Sequence, residues 1–118
     1  MGADLIATHG IGLAAAQHRH DRRGEAWTWG SVGMPYLDLK QYEEASDHFR
    51  HKLSLCREIG DQGGEAIALL NIGGAHRKLQ QFEEALDYFQ RALDVACSVR
   101  DRSGEAAALR NLGASAMR

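Results

Sequence analysis

The chain has 118 residues, of which 44% are hydrophobic and 25% are charged, a composition typical of a folded protein rather than a disordered one. Its formal net charge of −2 argues against direct nucleic-acid binding, which usually needs a strong basic excess. No apolar run approaches the roughly 20 residues of a membrane span, and the first residues lack the layout of a signal peptide. We therefore expect a cytoplasmic protein that binds neither nucleic acid nor membrane directly.

The chain is built from an internal repeat. The tripeptide Gly-Glu-Ala begins at Gly24, Gly64 and Gly104, so it recurs with a constant period of 40. Alignment at this period defines a repeat at 24–61, a second at 64–101, and a third that ends at residue 118 after one helix. A single proline and abundant Ala, Leu, Glu and Arg favour helix throughout. The sequence thus predicts one all-α array over residues 1–118.

The first predicted element is a degenerate capping helix at residues 4–20. Leu5 and Leu13 lie one period before Ala45 and Leu53, which belong to the second helix of the next unit. The remaining match to the repeat is poor. We expect this segment to cover the first full repeat, so that the array has about six helices.

Each full unit contains two stretches with helical spacing of apolar residues. In the unit 64–101 the break between them falls near Leu79-Gln80-Gln81, and Gly60 precedes the unit as a left-handed helix end. Gly-Glu-Ala is interpreted as the start of each first helix, with glycine allowing the chain to turn. In the unit 24–61, Pro35 and Lys52 are expected to bend or loosen the packing. The first-helix stripes are Trp29, Val32, Gly33, Tyr36 and Leu69, Ile72, Gly73, His76; the second-helix stripe is Phe82, Ala85, Leu86, Phe89, Leu93 and Ala96.

These stripes resemble the tetratricopeptide repeat, in which small residues let the two helices of a unit approach closely. Gly33 with Ala45, and Gly73 with Ala85, match that pattern by position. The usual unit has about 34 residues. The longer period of this chain is similar to that of the branch seen in Partner-of-Inscuteable, kinesin light chains and bacterial regulators. The resemblance implies a short right-handed α-solenoid of antiparallel helix pairs.

The resemblance also implies that the first helices line a concave groove that binds an extended peptide or a helix of another protein. Asn71 and Asn111 match the family position whose amide often holds a peptide backbone, although each could instead bond a neighbouring helix. The groove would be basic at one end and apolar at the other, which would suit an acidic peptide with an apolar anchor. The alternative is that the basic residues are simply solvated. Gly30 and Met34 replace the lysine and asparagine that clamp chaperone tails, which disfavours that ligand. The candidate peptide-binding residues are Asn71, Asn111, Arg77, Lys78, Arg110, Trp27, Met34, Leu37 and Leu70.

Other classes of function fit the sequence less well. No phosphate-binding loop or nucleophile elbow is present, so we expect no catalytic residue and no cofactor. His18 with His20, and His48 with His51, lack the further ligands that zinc requires, so no metal site is expected. His76 is interpreted as a packed or helix-bridging residue. The alternative function is a sensor or packing segment excised from a larger transcriptional or signalling regulator, which self-associates as a homodimer through its uncovered last helix.

Overall fold

The computed structural model describes residues 21–116, and every regular element within them is a helix. The helices are α1 (Arg22–Asp38), α2 (Tyr42–Ile59), α3 (Gln62–Lys78), α4 (Phe82–Ser98) and α5 (Arg102–Ala116). Their first residues are evenly spaced along the chain, and two successive helices together span one period of the repeat. The predicted all-α class is confirmed. The capping helix predicted at residues 4–20 lies outside the described residues.

Each of the first four helices ends in a turn with left-handed backbone. Lys40, Gly60, Gln80 and Arg100 have φ angles of 62°, 74°, 62° and 58°. After α3, the Gln80 N–H donates to the Arg77 carbonyl and the Gln81 N–H donates to the His76 carbonyl, both at 2.9 Å. This pair of bonds is the Schellman motif, which satisfies carbonyls at the end of a helix. The predicted break near Gln80 is therefore confirmed.

An aspartate precedes the first helix of each repeat, which is α1, α3 or α5. The Asp61 carboxylate accepts a hydrogen bond from the Gly64 N–H at 3.0 Å, which satisfies one of the free N–H groups at the start of α3. Gly64 therefore lies inside the helix rather than in the preceding turn, and the interpretation of glycine as a turn residue is wrong. Its role is steric, because a Cβ on Gly64 would lie 2.7 Å from both Asp61 Oδ2 and Cys56 Sγ. Asp21 with Gly24, and Asp101 with Gly104, repeat the cap.

The helices pack in chain order, each against the next, and α3 also touches α5. The largest fully buried side chains include Phe49 on α2, Phe89 on α4, and Leu69 with Ile72 on α3. The main buried cluster has members from α2, α3, α4 and α5, and a smaller cluster of Ala26, Leu55 and Cys56 lies between α1 and α2. This is the arrangement by which stacked helix pairs bury surface that a single pair would leave exposed.

The first full repeat is packed as well as the second. The helix α1 continues through Pro35 to Asp38, and α1 contacts α2 as extensively as α3 contacts α4. Lys52 fits because its counterpart across the helix pair is small: a Cβ on Gly30 would lie 2.9 Å from Lys52 Cδ. The second repeat reverses the sizes at these two positions, with Leu70 and Ala92. The expectation of a loosened first repeat is therefore wrong.

Candidate peptide-binding groove

The first helices contribute to a groove with a volume of about 640 Å³. The end of α1 and the turn after it form one side, α3 forms the centre, and Asn111 of α5 forms the other side. These parts meet because first helices follow one another along the same side of a stacked array. The lining residues are Leu37, Asp38, Lys40, Tyr42, Leu70, Asn71, Gly74, Arg77, Lys78 and Asn111.

The two asparagines in the groove differ in their hydrogen bonds. Asn111 Nδ2 donates to the Ala107 carbonyl of its own helix at 2.8 Å. The side chain of Asn71 is half-buried in the groove and has no hydrogen bond to another part of the described chain. An amide can donate two hydrogen bonds and accept through its oxygen, and residues 21–116 use none of this capacity of Asn71.

The lining of the groove carries an excess of positive charge. Lys40, Arg77 and Lys78 are the cationic residues of the lining, and Asp38 is its one carboxylate. None of the three cations forms a side-chain ion pair with residues 21–116. The groove thus combines available positive charge with an apolar floor, because Leu37 and Leu70 pack against the hydrophobic core.

Six of the nine residues predicted for the site line this groove, and three do not. Trp27 is 67% exposed and borders a separate depression of about 220 Å³ with Ile67. Met34 is 48% exposed and Arg110 is also exposed, and neither is part of the groove lining. The residues in the groove are Leu37, Leu70, Asn71, Arg77, Lys78 and Asn111.

Sequence reasoning missed that the turn between α1 and α2 contributes to the groove. Asp38, Lys40 and Tyr42 border the groove from the end of α1, the turn and the start of α2. The 40-residue period contains a signal for this turn, because Lys40 is the counterpart of Gln80, which lies at the predicted break between two helices. A residue at such a turn can reach the edge of a surface formed by the helices.

His76 bridges three helices, in agreement with its interpretation from the sequence. On one side Nε2 lies 3.0 Å from Arg50 Nη2 of α2, and on the other Nδ1 lies 2.6 Å from Gln81 Oε1. The imidazole ring stacks on Tyr88 of α4, with centroids 5.2 Å apart. Because guanidinium only donates and the amide oxygen only accepts, the bonds require a proton on Nδ1 and a lone pair on Nε2.

The remaining described histidines contact aromatic rings. The Trp29 ring stacks on His51 at a centroid distance of 4.2 Å and meets His48 edge-on at 5.2 Å. Among residues 21–116, no group of three or more His, Cys, Asp or Glu side chains is arranged to hold a metal ion. His18 and His20 lie outside this range. No described helix is long and apolar enough to cross a membrane.

Stacked antiparallel helix pairs with a groove along their first helices define a helical repeat protein. The tetratricopeptide repeat profile matches residues 24–98 and again 64–117. The chain belongs to the tetratricopeptide repeat family. Repeats of this family are non-catalytic modules that mediate protein–protein interaction.

Among solved structures, the chain is similar to the N-terminal domain of stress-induced protein-1 (STI-1) from C. elegans. The TM-score is 0.62 at 17% sequence identity, and the match covers 94% of this chain and 97% of the other. At this identity the likeness shows a shared fold. No curated protein matches the chain.

Proposed function

We propose that this protein is a scaffold that binds an extended peptide or a helix of another protein in the groove around Asn71. The observation that carries the proposal is the half-buried Asn71 amide, which has no hydrogen bond within the described chain. A peptide backbone offers both an N–H and a carbonyl, so one amide side chain can bond it in two directions. Asn111 lies on the same groove and can contribute if it exchanges its bond to Ala107.

The chemistry of the lining favours an acidic peptide with an apolar anchor. Lys40, Arg77 and Lys78 attract carboxylates, while Leu37 and Leu70 offer an apolar surface. Such a ligand gains orientation from its charges and affinity from burial of its apolar side chain. Peptides with basic residues throughout are expected to bind poorly.

The test begins with a peptide array in which acidic residues flank one Leu, Phe or Trp. The tightest peptide is then labelled with fluorescein and titrated with protein in an anisotropy assay. Asn71→Ala combined with Asn111→Ala is expected to weaken binding at least about tenfold, since each change leaves peptide backbone groups unpaired. Arg110→Ala is the matched control on α5, because Arg110 is exposed and outside the groove lining. Unchanged affinity in the double variant would show that this groove is not the binding site.

A second candidate function, self-association as a packing segment of a larger regulator, is supported by the surface around α5. Leu109 on α5 is 52% exposed, and Val99 in the preceding turn is 38% exposed. Covering such apolar surface in a homodimer would release it from water. Light scattering across a concentration series tests this: the mass is expected to approach that of a dimer, and Leu109→Glu to restore the monomer. A monomeric mass at high micromolar concentration contradicts this candidate.

A further inference from the structure

A second groove, with a volume of about 330 Å³, lies between α2 and α4, the second helices of the two full repeats. Three arginines line it, two from α2 and one from α4, and a serine lies between the two arginines of α2 at helical spacing. No carboxylate belongs to the lining. The lining residues are Arg50, Leu53, Ser54 and Arg57 of α2, with Tyr88 and Arg91 of α4. We call this the arginine groove.

Each arginine is held in place by a partner that uses only part of its guanidinium. The Arg91 guanidinium lies over the Tyr88 ring, 5.2 Å from its centroid. Arg57 Nε donates to Glu65 Oε2 at 3.2 Å, which leaves its two terminal nitrogens. Arg50 Nη2 donates to His76 Nε2 at 3.0 Å. Because a guanidinium has five N–H donors, all three side chains are oriented and still have donors to offer.

The carboxylates nearest to the arginine groove do not occupy it. Each of the three arginines is ion-paired: Asp47 pairs with Arg50 at 3.4 Å and Asp87 pairs with Arg91 at 3.9 Å, each along its own helix, and Glu65 of α3 pairs with Arg57 at 3.2 Å. The aspartate side chains are 69% and 70% exposed, and such exposed pairs contribute little. A ligand that contacts arginines of both helices at once makes contacts that neither aspartate makes. It can therefore replace the two aspartate pairs without a large loss, while Glu65 stays paired with Arg57 through Nε.

We propose that the arginine groove is a binding site for a phosphate monoester dianion. A monoester carries three terminal oxygens in a tetrahedral arrangement, which suits donors contributed by two different helices. A carboxylate has two oxygens in one plane and is satisfied by the fork of a single arginine. Ser54 is exposed, has no hydrogen bond within residues 21–116, and adds a hydroxyl donor. This site is separate from the groove around Asn71, so either can fail without the other.

The test uses NMR of the arginine side-chain Nε–H signals at constant ionic strength and pH 7.5. Three probes are titrated: inorganic phosphate, a short phosphoserine peptide, and the same peptide with glutamate at that position. We expect saturable shifts of Arg50, Arg57 and Arg91 with phosphate and phosphoserine peptide. Tighter binding of the peptide assigns the site to a phosphorylated side chain of a partner, and equal binding assigns it to free phosphate. Equal affinity for the glutamate peptide would overturn the proposal, because it would show plain charge attraction.

Two variants complete the test. Arg91→Gln is expected to weaken binding at least about tenfold, because it removes the positively charged guanidinium that α4 contributes. Ser54→Asp places a carboxylate among the arginines and is expected to abolish binding; Ser54 is exposed, so the fold is expected to persist. Arg100→Gln is the control, since Arg100 is exposed and outside the groove lining. Non-saturating shifts spread over every exposed arginine would also overturn the proposal, as would equal binding by Ser54→Asp.

Discussion

Gly73 and Phe89 are packed so closely that a Cβ built on Gly73 would lie 2.6 Å from Phe89 Cε1. The same relationship recurs one repeat earlier, where a Cβ on Gly33 would lie 2.8 Å from Phe49 Cε1. Both phenylalanines are fully buried. In each pair, the missing side chain of the glycine makes the space that the aromatic ring of the second helix fills.

Gly73→Ala is therefore expected to destabilise the protein by about 1–2 kcal/mol. Overpacking a core typically costs about 1–3 kcal/mol, and the better helix propensity of alanine returns up to about 1 kcal/mol. The adjacent Gly74→Ala is the matched control, because a Cβ there meets nothing within 4 Å. It should stabilise the protein by up to about 1 kcal/mol. Urea unfolding followed by circular dichroism measures both, and equal effects of the two variants would contradict the packing argument.

In the left-handed turns, a change to glycine is expected to stabilise the protein and a change from glycine to alanine is expected to destabilise it. Gln80 has a φ of 62°, a conformation that costs a non-glycine residue about 1–2 kcal/mol. Gln80→Gly is expected to raise the free energy of unfolding by about 0.5–1 kcal/mol after the added entropy of the unfolded chain is subtracted. Gly60→Ala is expected to lower it by about 1 kcal/mol, since Gly60 has a φ of 74°. Thermal unfolding of the two variants should give shifts of opposite sign; a shared sign would be inconsistent with this explanation.

The contacts of His76 predict its tautomer. With Gln81 Oε1 at 2.6 Å from Nδ1 and Arg50 Nη2 at 3.0 Å from Nε2, the neutral ring should carry its proton on Nδ1. Long-range ¹H–¹⁵N correlation spectra at neutral to alkaline pH measure this directly. Gln81→Leu removes the acceptor and is expected to cost about 0.5–1.5 kcal/mol and to reduce the Nδ1–H population. A ring protonated mainly on Nε2 would rule out the bridge as described.

The two cysteines should react at different rates. Burial raises the pKa of the Cys56 thiol, and the Asp61 carboxylate raises it further. The pKa of Cys97 is also raised, first by partial desolvation and second by the Glu105 carboxylate. The expected difference in reaction rate therefore comes from access to solvent, because Cys56 is buried and Cys97 is exposed. Alkylation by iodoacetamide at pH 8, followed by mass spectrometry, should be at least about tenfold slower at Cys56. Equal rates in the folded protein would show that Cys56 is accessible.

The raised pKa of Cys56 also makes the stability of the protein depend on pH. The unfolded thiol ionises at about 8.5, below the folded pKa, so the unfolded state loses its proton first as the pH rises. The contribution of this thiol is fully present below that pH and is lost as the pH rises through the folded value. Stability measured by urea unfolding should therefore decline on the alkaline side. Cys56→Ala is expected to reduce that decline, after allowance for the lost methyl-sized volume.

The repeat made most of the fold predictable from the sequence. Helix spacing of apolar residues located both helices of a unit, and Gly60 marked one turn. The turns at Lys40 and Arg100 gave no such signal, because their left-handed backbone is occupied by residues that do not favour it. Gly64 was misinterpreted because the sequence does not show that the cap of α3 is Asp61, whose carboxylate needs the space beside the glycine.

The candidate site was predicted in part, for a geometric reason. Leu37 and Trp27 were assigned to one groove because both belong to the inner face of α1. They lie near opposite ends of that helix, however, and at about 1.5 Å per residue the distance between them along its axis is about 15 Å. The groove of about 640 Å³ reaches only the end of α1, so Leu37 borders it and Trp27 does not. Periodicity gives the face on which a residue lies, and the structure adds how far along that face a pocket extends.

The even spacing of the helix starts has a consequence for the length of the molecule. Residues 42–81 contain one second helix and one first helix, and they lie between equivalent turns at Gln41 and Gln81. A tandem duplication of this segment would join existing kinds of turn and existing kinds of helix contact, so no new type of junction has to form. Each added copy would bring one more first helix to the inner surface. The number of copies, rather than a change of any side chain, would then determine the length of the surface that the first helices form.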